Sequence, residues 1–295
     1  MSLTVKIGYP CINLSLHCSA SRTFRLSNYS EKRLLDTVSN NLDCLERMIE
    51  FNISNNLLFL RITSDLVPFA SHPICTFNWQ EFFRERFKDI GEKIRKAGMR
   101  ISMHPDQFVV INSPHEEVFE RSSAELAYHA QILDLLKLND TARIQIHVGG
   151  AYGDRENSME RFVKRFDMLE NSVKRRLSVE NDDKMYGIAH CMKIHQRLNM
   201  PVIFDNFHHE LNDTHINAKK GVEMAFSTWS KRTGSPMVDF SHQQIGQRRG
   251  KHAESVDTEL FKIFLTLLNG KDCDVMLEIK DKERSAIKVR QMVNS

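Results

Sequence analysis

The sequence predicts an α/β fold, a single (β/α)8 TIM barrel over residues 1–295, and three observations carry that expectation. Short apolar runs with β-branched residues recur eight times along the chain. The stretches between them carry apolar residues at helical spacing, and such strand–helix alternation implies a parallel sheet with right-handed crossovers. The length of 295 residues suits eight repeats, since barrels of this class typically take about 250 residues.

In order, the runs read "VKIGY" near 5–9, "LLFLRIT" at 57–63, "MRISMH" at 99–104 and "RIQIHV" at 143–148. They continue with "RLSVEN" at 176–181, "PVIFDNFHH" at 201–209, "PMVDFS" at 236–241 and "DVMLEIK" at 274–280. Between them, "WQEFFRERFKDIGEKIRKAG" at 79–98 reads as a helix closed by Gly98. "ELAYHAQILDLLKL" at 125–138 reads as another. A doubly wound open sheet is the alternative, but no GxGxxG follows the first run. No linker, low-complexity tract or second domain interrupts the rhythm.

Composition narrows the function class. Hydrophobic residues make up 41% and charged residues 27%, as in ordinary globular proteins, so disorder is not suggested. The formal charge of +3 permits an acidic partner without demanding one. Six cysteines (Cys11, Cys18, Cys44, Cys75, Cys191, Cys273) are scattered with no CxxC pair. That pattern argues against a zinc ribbon or a disulfide scaffold and for a reducing cytosol. The N-terminal "MSLTVKIGYP" lacks the apolar core of a secretory signal. No run approaches the roughly 20 apolar residues of a membrane span. The expectation is a cytoplasmic, monomeric protein with no membrane contact.

Polar residues then fall at the strand ends. His104, His147 and Glu180 close the third, fourth and fifth runs. Asp205 closes the sixth, with His208 three residues on, and the last two carry Asp239 and Glu278. Taken singly, each has a plain structural explanation: a hydrogen-bonded histidine, or an acid capping a helix or pairing with a lysine. Together they converge on one mouth, where so many imidazoles and acids would repel one another or stay unsatisfied without cations. The mixed donor set suits Zn2+, Mn2+ or Fe2+ rather than Mg2+ or Ca2+. One ion is too few for it; two or three divalent ions are expected, and such clusters act on phosphodiesters.

Nearly the whole chain resembles the UV-damage endonuclease family, whose barrel is related to endonuclease IV. The matching stretches include "IGYPCIN" at 7–13, "RITSDLVPFASHP" at 61–73, "SMHPDQF" at 102–108 and "IHVGGAYGDRENSMERF" at 146–162. "LSVENDDK" at 177–184, "FDNFHH" at 204–209, "GKHAESV" at 250–256 and "MLEIKDKE" at 276–283 follow in order. The resemblance implies metal ligation by His104, His147, Glu180, Asp205, His208, His252 and Glu278, with Mn2+ first and Zn2+ second as the metal. Glu180, Asp205 and Glu278 would then be catalytic, and His72 would stand at the site on a metal or on phosphate.

At the seventh strand the family pattern Pro-Lys-x-His gives way to "PMVDF". Met237 stands at the lysine position and Asp239 at the histidine position. Asp239 remains a candidate ligand with a harder oxygen donor, whereas methionine cannot supply the lysine's charge.

The resemblance also implies that Gln107 and Phe108 enter the duplex at a lesion. There an aromatic face offsets lost base stacking, and damaged steps cost less to open. Tyr9, at the end of the first strand, is a second aromatic candidate at the mouth. Arg248, Arg249 and Lys251, in "QRRGK", are expected to grip phosphates without reading sequence. "KRR" at 174–176 is read as a solvated face.

The expected function is a metal-dependent DNA repair endonuclease acting on damaged double-stranded DNA. It would cut 5′ to UV photoproducts and leave 3′-hydroxyl and 5′-phosphate ends. The rivals are an abasic-site endonuclease of the endonuclease IV kind, a sugar isomerase on the same barrel, and a damage-binding protein with weakened cleavage.

Overall fold

All eight expected strands form, and they close on themselves. The computed structural model describes residues 5–212 and 215–294. The strands are β1 (Val5–Pro10), β2 (Phe59–Ile62), β3 (Arg100–Met103), β4 (Arg143–His147), β5 (Leu177–Glu180), β6 (Val202–Asp205), β7 (Met237–Phe240) and β8 (Cys273–Leu277). They form one closed barrel in sequence order, with β1 pairing β2 on one side and β8 on the other, all parallel.

Helices wrap the outside: α1 (Glu31–Ser54), α2 (Trp79–Phe82), α3 (Arg84–Lys96), α4 (Glu116–Leu135), α5 (Arg155–Met168), α6 (Asn171–Lys174) and α7 (Ile188–Leu198). Then come α8 (Asn206–Leu211), α9 (Ala218–Phe226), α10 (Thr258–Leu267) and α11 (Glu283–Asn294). Helix α1 shows how sequence sets these elements. Ser30 caps it by accepting from the Arg33 amide, and Leu34, Val38, Leu42, Leu45 and Ile49 recur on one buried face. The single helix expected over 79–98 is divided at Phe83, which sits at φ −98° and ψ 8°. The hydrogen-bond ladder continues across it, from the Phe83 amide to Trp79 and from the Phe87 amide to Phe83. Gly98 ends α3 as expected, at φ +61°.

Side chains alternate across each strand, and that period decides what the barrel encloses. One face packs against the helices in a continuous apolar core. Inside, Phe59, Ile203, Met237 and Met276 make a separate apolar layer that floors the barrel. Two residues further along those same strands stand Arg61, Asp205, Asp239 and Glu278. The sequence departure at Met237 therefore has a packing role: it is a fully buried part of that floor.

The scattered cysteines argue against a disulfide scaffold, and the structure carries a single bond that they do not announce: Cys18 and Cys44 are joined, with Cα atoms 5.7 Å apart. The loop after β1 folds back onto α1, a contact that a separation of 26 residues does not announce. The other four cysteines are free.

Burial also sets an acid limit on stability. His129 on α4 is fully enclosed, with Nδ1 2.7 Å from the Glu125 carbonyl and Nε2 3.0 Å from the Ser64 hydroxyl. Burial lowers its pKa from 6.5 to about 4. The unfolded chain therefore takes up this proton first as pH falls. The neutral imidazole's contribution is whole above pH 6.5 and is lost towards pH 4. The loss amounts to about 3 kcal/mol. Urea unfolding of His129→Gln at pH 7 and pH 4.5 should show a smaller drop between the two than the parent shows.

Candidate metal centre and DNA-facing mouth

The inward polar layer gathers donors that are far apart in sequence. Three overlapping sets have donor atoms within 4.8 Å of one another: His104, His147 and Glu180; Glu180, Asp205 and His208; Asp205, Asp239 and Glu278. Glu180 joins the first set to the second, and Asp205 joins the second to the third. Glu180 Oε2 lies 3.2 Å from His104 Nε2 and 3.7 Å from His147 Nε2, and Glu180 Oε1 lies 3.0 Å from His208 Nδ1.

The histidines are held from behind. His104 Nδ1 donates to the Pro105 carbonyl at 2.9 Å, and His252 Nδ1 donates to the Glu278 carbonyl at 2.8 Å. Each contact fixes the ring from its Nδ1 side, the arrangement by which metal-binding imidazoles are oriented, and His104 Nε2 then meets Glu180 Oε2 at 3.2 Å. His252 belongs to none of the three sets, although it neighbours the third through Glu278.

The electrostatics call for added positive charge. Burial opposes ionisation of Glu180, but His147, His104 and His208 outweigh it and hold its carboxyl well below the usual range. Burial raises Asp205 well above its usual value, and the charges of Glu180, Glu278 and Asp239 add to that. Burial alone would lower His208, yet Asp205, Glu180 and Glu278 draw a proton onto it and raise its pKa to about 11. Asp205 Oδ2, Asp239 Oδ1 and His147 Nδ1 are buried without a hydrogen-bond partner. Unpaired buried acceptors in a mixed imidazole–carboxylate set are what divalent cations satisfy, so the residues fit such ions.

Two residues at the centre escaped the sequence reading. Arg61 on β2 points its guanidinium between Asp239, with Nη2 to Oδ2 at 2.8 Å, and Glu278, to which Nη1 donates. Gln145 on β4 accepts from Arg61 Nη2 at 2.9 Å and donates to Glu180 Oε2 at 2.6 Å and to Asp239. Burial works against the charge of Arg61, but Asp239, Glu278 and Glu180 outweigh it, so the guanidinium stays ionised. Burial would raise Glu278 as well; Arg61 overcomes this, with help from His252 and His104, and holds it at about 2. Asp239 is pushed up to about 7 by burial despite Arg61. Of its two oxygens, Oδ2 is engaged by Arg61 and Gln145 and Oδ1 is buried with no hydrogen-bond partner. The available signal was an arginine inside the apolar run "LLFLRIT", at the interior spacing from Phe59.

The expected DNA contacts divide. Gln107 and Phe108 stand exposed on the loop after β3, next to His104. Arg248 and Arg249 are exposed and Lys251 half-buried on the loop after β7, where Arg249 also donates to the Leu211 carbonyl at 2.7 Å. His72 is exposed, lies outside every donor set, and accepts from the Ile74 amide at 3.1 Å. It lines, with Phe108, a cleft of about 660 Å³ beside the mouth. Tyr9 requires correction. The register sets Gly8 beside Phe59 and Met276 of the floor, so Tyr9 faces outward. It is buried there, and its hydroxyl donates to Asn52 of α1 at 2.7 Å. Arg176 of "KRR" is buried too, bonded to Asp134 at 2.6 Å, so that run is not simply a solvated face.

Comparison with known proteins agrees with this geometry. The family model described as "UV-endonuclease UvdE" matches residues 5–294. A "UV DNA damage endonuclease" of Clostridium perfringens (strain 13 / Type A) is 37% identical over 286 residues, covering 96% of this chain and 69% of that protein. The crystal structure of SacUVDE superposes with a TM-score of 0.94 at 39% identity, over 98% of both chains. Endonuclease IV from Thermus thermophilus, at 17% identity and a TM-score of 0.59, covers 85% of this chain and 94% of its own; it shares the fold alone. The chain belongs to the UV-endonuclease UvdE family.

Proposed function

We propose that this protein nicks damaged duplex DNA immediately 5′ to UV photoproducts by metal-dependent hydrolysis, leaving 3′-hydroxyl and 5′-phosphate ends. The observation that carries this is the chain of three donor sets at the mouth, linked through Glu180 and Asp205, in a member of a DNA repair family. His104, His147, Glu180, Asp205, His208, Asp239, His252 and Glu278 would hold two or three ions, Mn2+ first and Zn2+ second. When bound, such ions activate water and neutralise charge developing on the phosphodiester.

The chain's own groups do the positioning. Arg61 fixes Asp239 and Glu278, and Gln145 ties that pair to Glu180. Gln107 and Phe108 fill the space of displaced bases, and Arg248, Arg249 and Lys251 hold phosphates on the rim. His72, which lies outside the donor sets, would meet phosphate rather than metal. Sensing weakened stacking would extend the substrates to other lesions. The protein would act as a single barrel domain over 1–295, as a monomer in the cytoplasm. Among the described residues no helix is long and apolar enough to cross a membrane.

Nicking of an end-labelled duplex with one defined photoproduct, with Mn2+ or with chelator, tests the proposal. A metal-dependent cut just 5′ of the lesion, absent on undamaged DNA, is expected. Binding without cutting under every divalent ion would favour a damage-binding protein, and cutting confined to abasic duplexes would favour the endonuclease IV kind. Phe108→Ala should lower cutting of the paired lesion by about 10- to 100-fold, because base–aromatic stacking contributes about 1–3 kcal/mol. Single-turnover rates measure it.

A further inference from the structure

The most exposed large apolar side chain among the described residues is Ile245, at 89%, followed by Phe108 at 77%. A lone surface isoleucine is ordinary and needs no explanation. The placement of this one is not ordinary. Phe108 follows β3 and Ile245 follows β7, and in a closed barrel of eight strands those two are four strands apart in either direction. The two tips therefore flank the donor sets from opposite sides of one mouth.

Ile245 is also presented by a braced loop. Gln243 and His252 form an antiparallel bridge, and the Gln244 amide donates to the Lys251 carbonyl at 2.8 Å. The Gln243 side chain spans the inside of the loop, accepting from the Gly250 amide at 2.8 Å and donating to the Arg248 carbonyl at 3.0 Å. Gly246 and Gly250, at φ +72° and +86°, make the turns. The loop's far end is tied to the centre through His252 and the Glu278 carbonyl. Gln244, Gln247 and Arg248 flank the apolar tip. A rigid apolar point with amides and a cation beside it suits a DNA groove, where apolar side chains wedge base steps and basic ones hold phosphates.

We propose that Ile245 is a second apolar wedge, pressing on lesion-containing duplex DNA from the side opposite Phe108, so that the damaged step is opened between two points. This rests on the mouth being the DNA site. The test uses a duplex carrying a photoproduct with 2-aminopurine opposite it, titrated with the full-length protein in chelator, where nothing is cut. The parent protein should brighten the probe as the base unstacks. Ile245→Ser should give less than half that rise at saturation, and Ile245→Leu should restore it.

With Mn2+, Ile245→Ser should nick the paired lesion about tenfold more slowly, while a lesion inside an unpaired bubble should lose much less. An unchanged fluorescence rise in Ile245→Ser, or equal nicking losses on paired and unpaired lesions, overturns the proposal. Failure of the parent to nick at all would refute the cutting activity alone, because the fluorescence result stands without it.

Discussion

Glu180→Gln is expected to abolish metal-dependent nicking, by about a thousandfold or more, since bound cations contribute several kcal/mol to such transition states. Glu180 belongs to two of the three donor sets, so its loss removes a carboxylate from both at once. The amide keeps the volume and one hydrogen-bond acceptor, so folding should survive while charge at the centre is lost. Metal content by elemental analysis should fall with activity. Unchanged metal content and unchanged cutting would remove Glu180 from the centre.

Arg61→Met is expected to destabilise the metal-free protein by about 3–5 kcal/mol, the cost of leaving buried carboxylates without their cation. Arg61 is 3% exposed and faces both Asp239 and Glu278, so its removal leaves two carboxylates without their cation. Adding Asp239→Asn should recover part of the loss, because the side chain that suffers most from burial then carries no charge. Urea unfolding of the single and double variants measures both effects. A loss below about 1 kcal/mol would mean the pair relaxes towards solvent.

The strands were legible because each is a short apolar run with β-branched residues. The ligand candidates were legible because a polar residue in the last inward position of such a run has few other reasons to be there. Arg61 and Gln145 lie inside the runs and face inward as well, but their partners come from distant strands, so only the closed barrel reveals the network. Tyr9 was misread because position along a strand was weighed without its parity; one residue separates the interior from the helix-facing side. The Cys18–Cys44 bond depends on how a loop folds back on α1, which no local pattern encodes.

The floor of Phe59, Ile203, Met237 and Met276 has a consequence for traffic. It underlies the polar layer, whose partly exposed members, His104, His147, His208 and His252, open on the mouth. Water, any cation the donors hold, and DNA would share that doorway. On the proposed function, a duplex seated across it would be a stopper as well as a substrate: while it stayed, ion exchange would wait for the DNA to leave.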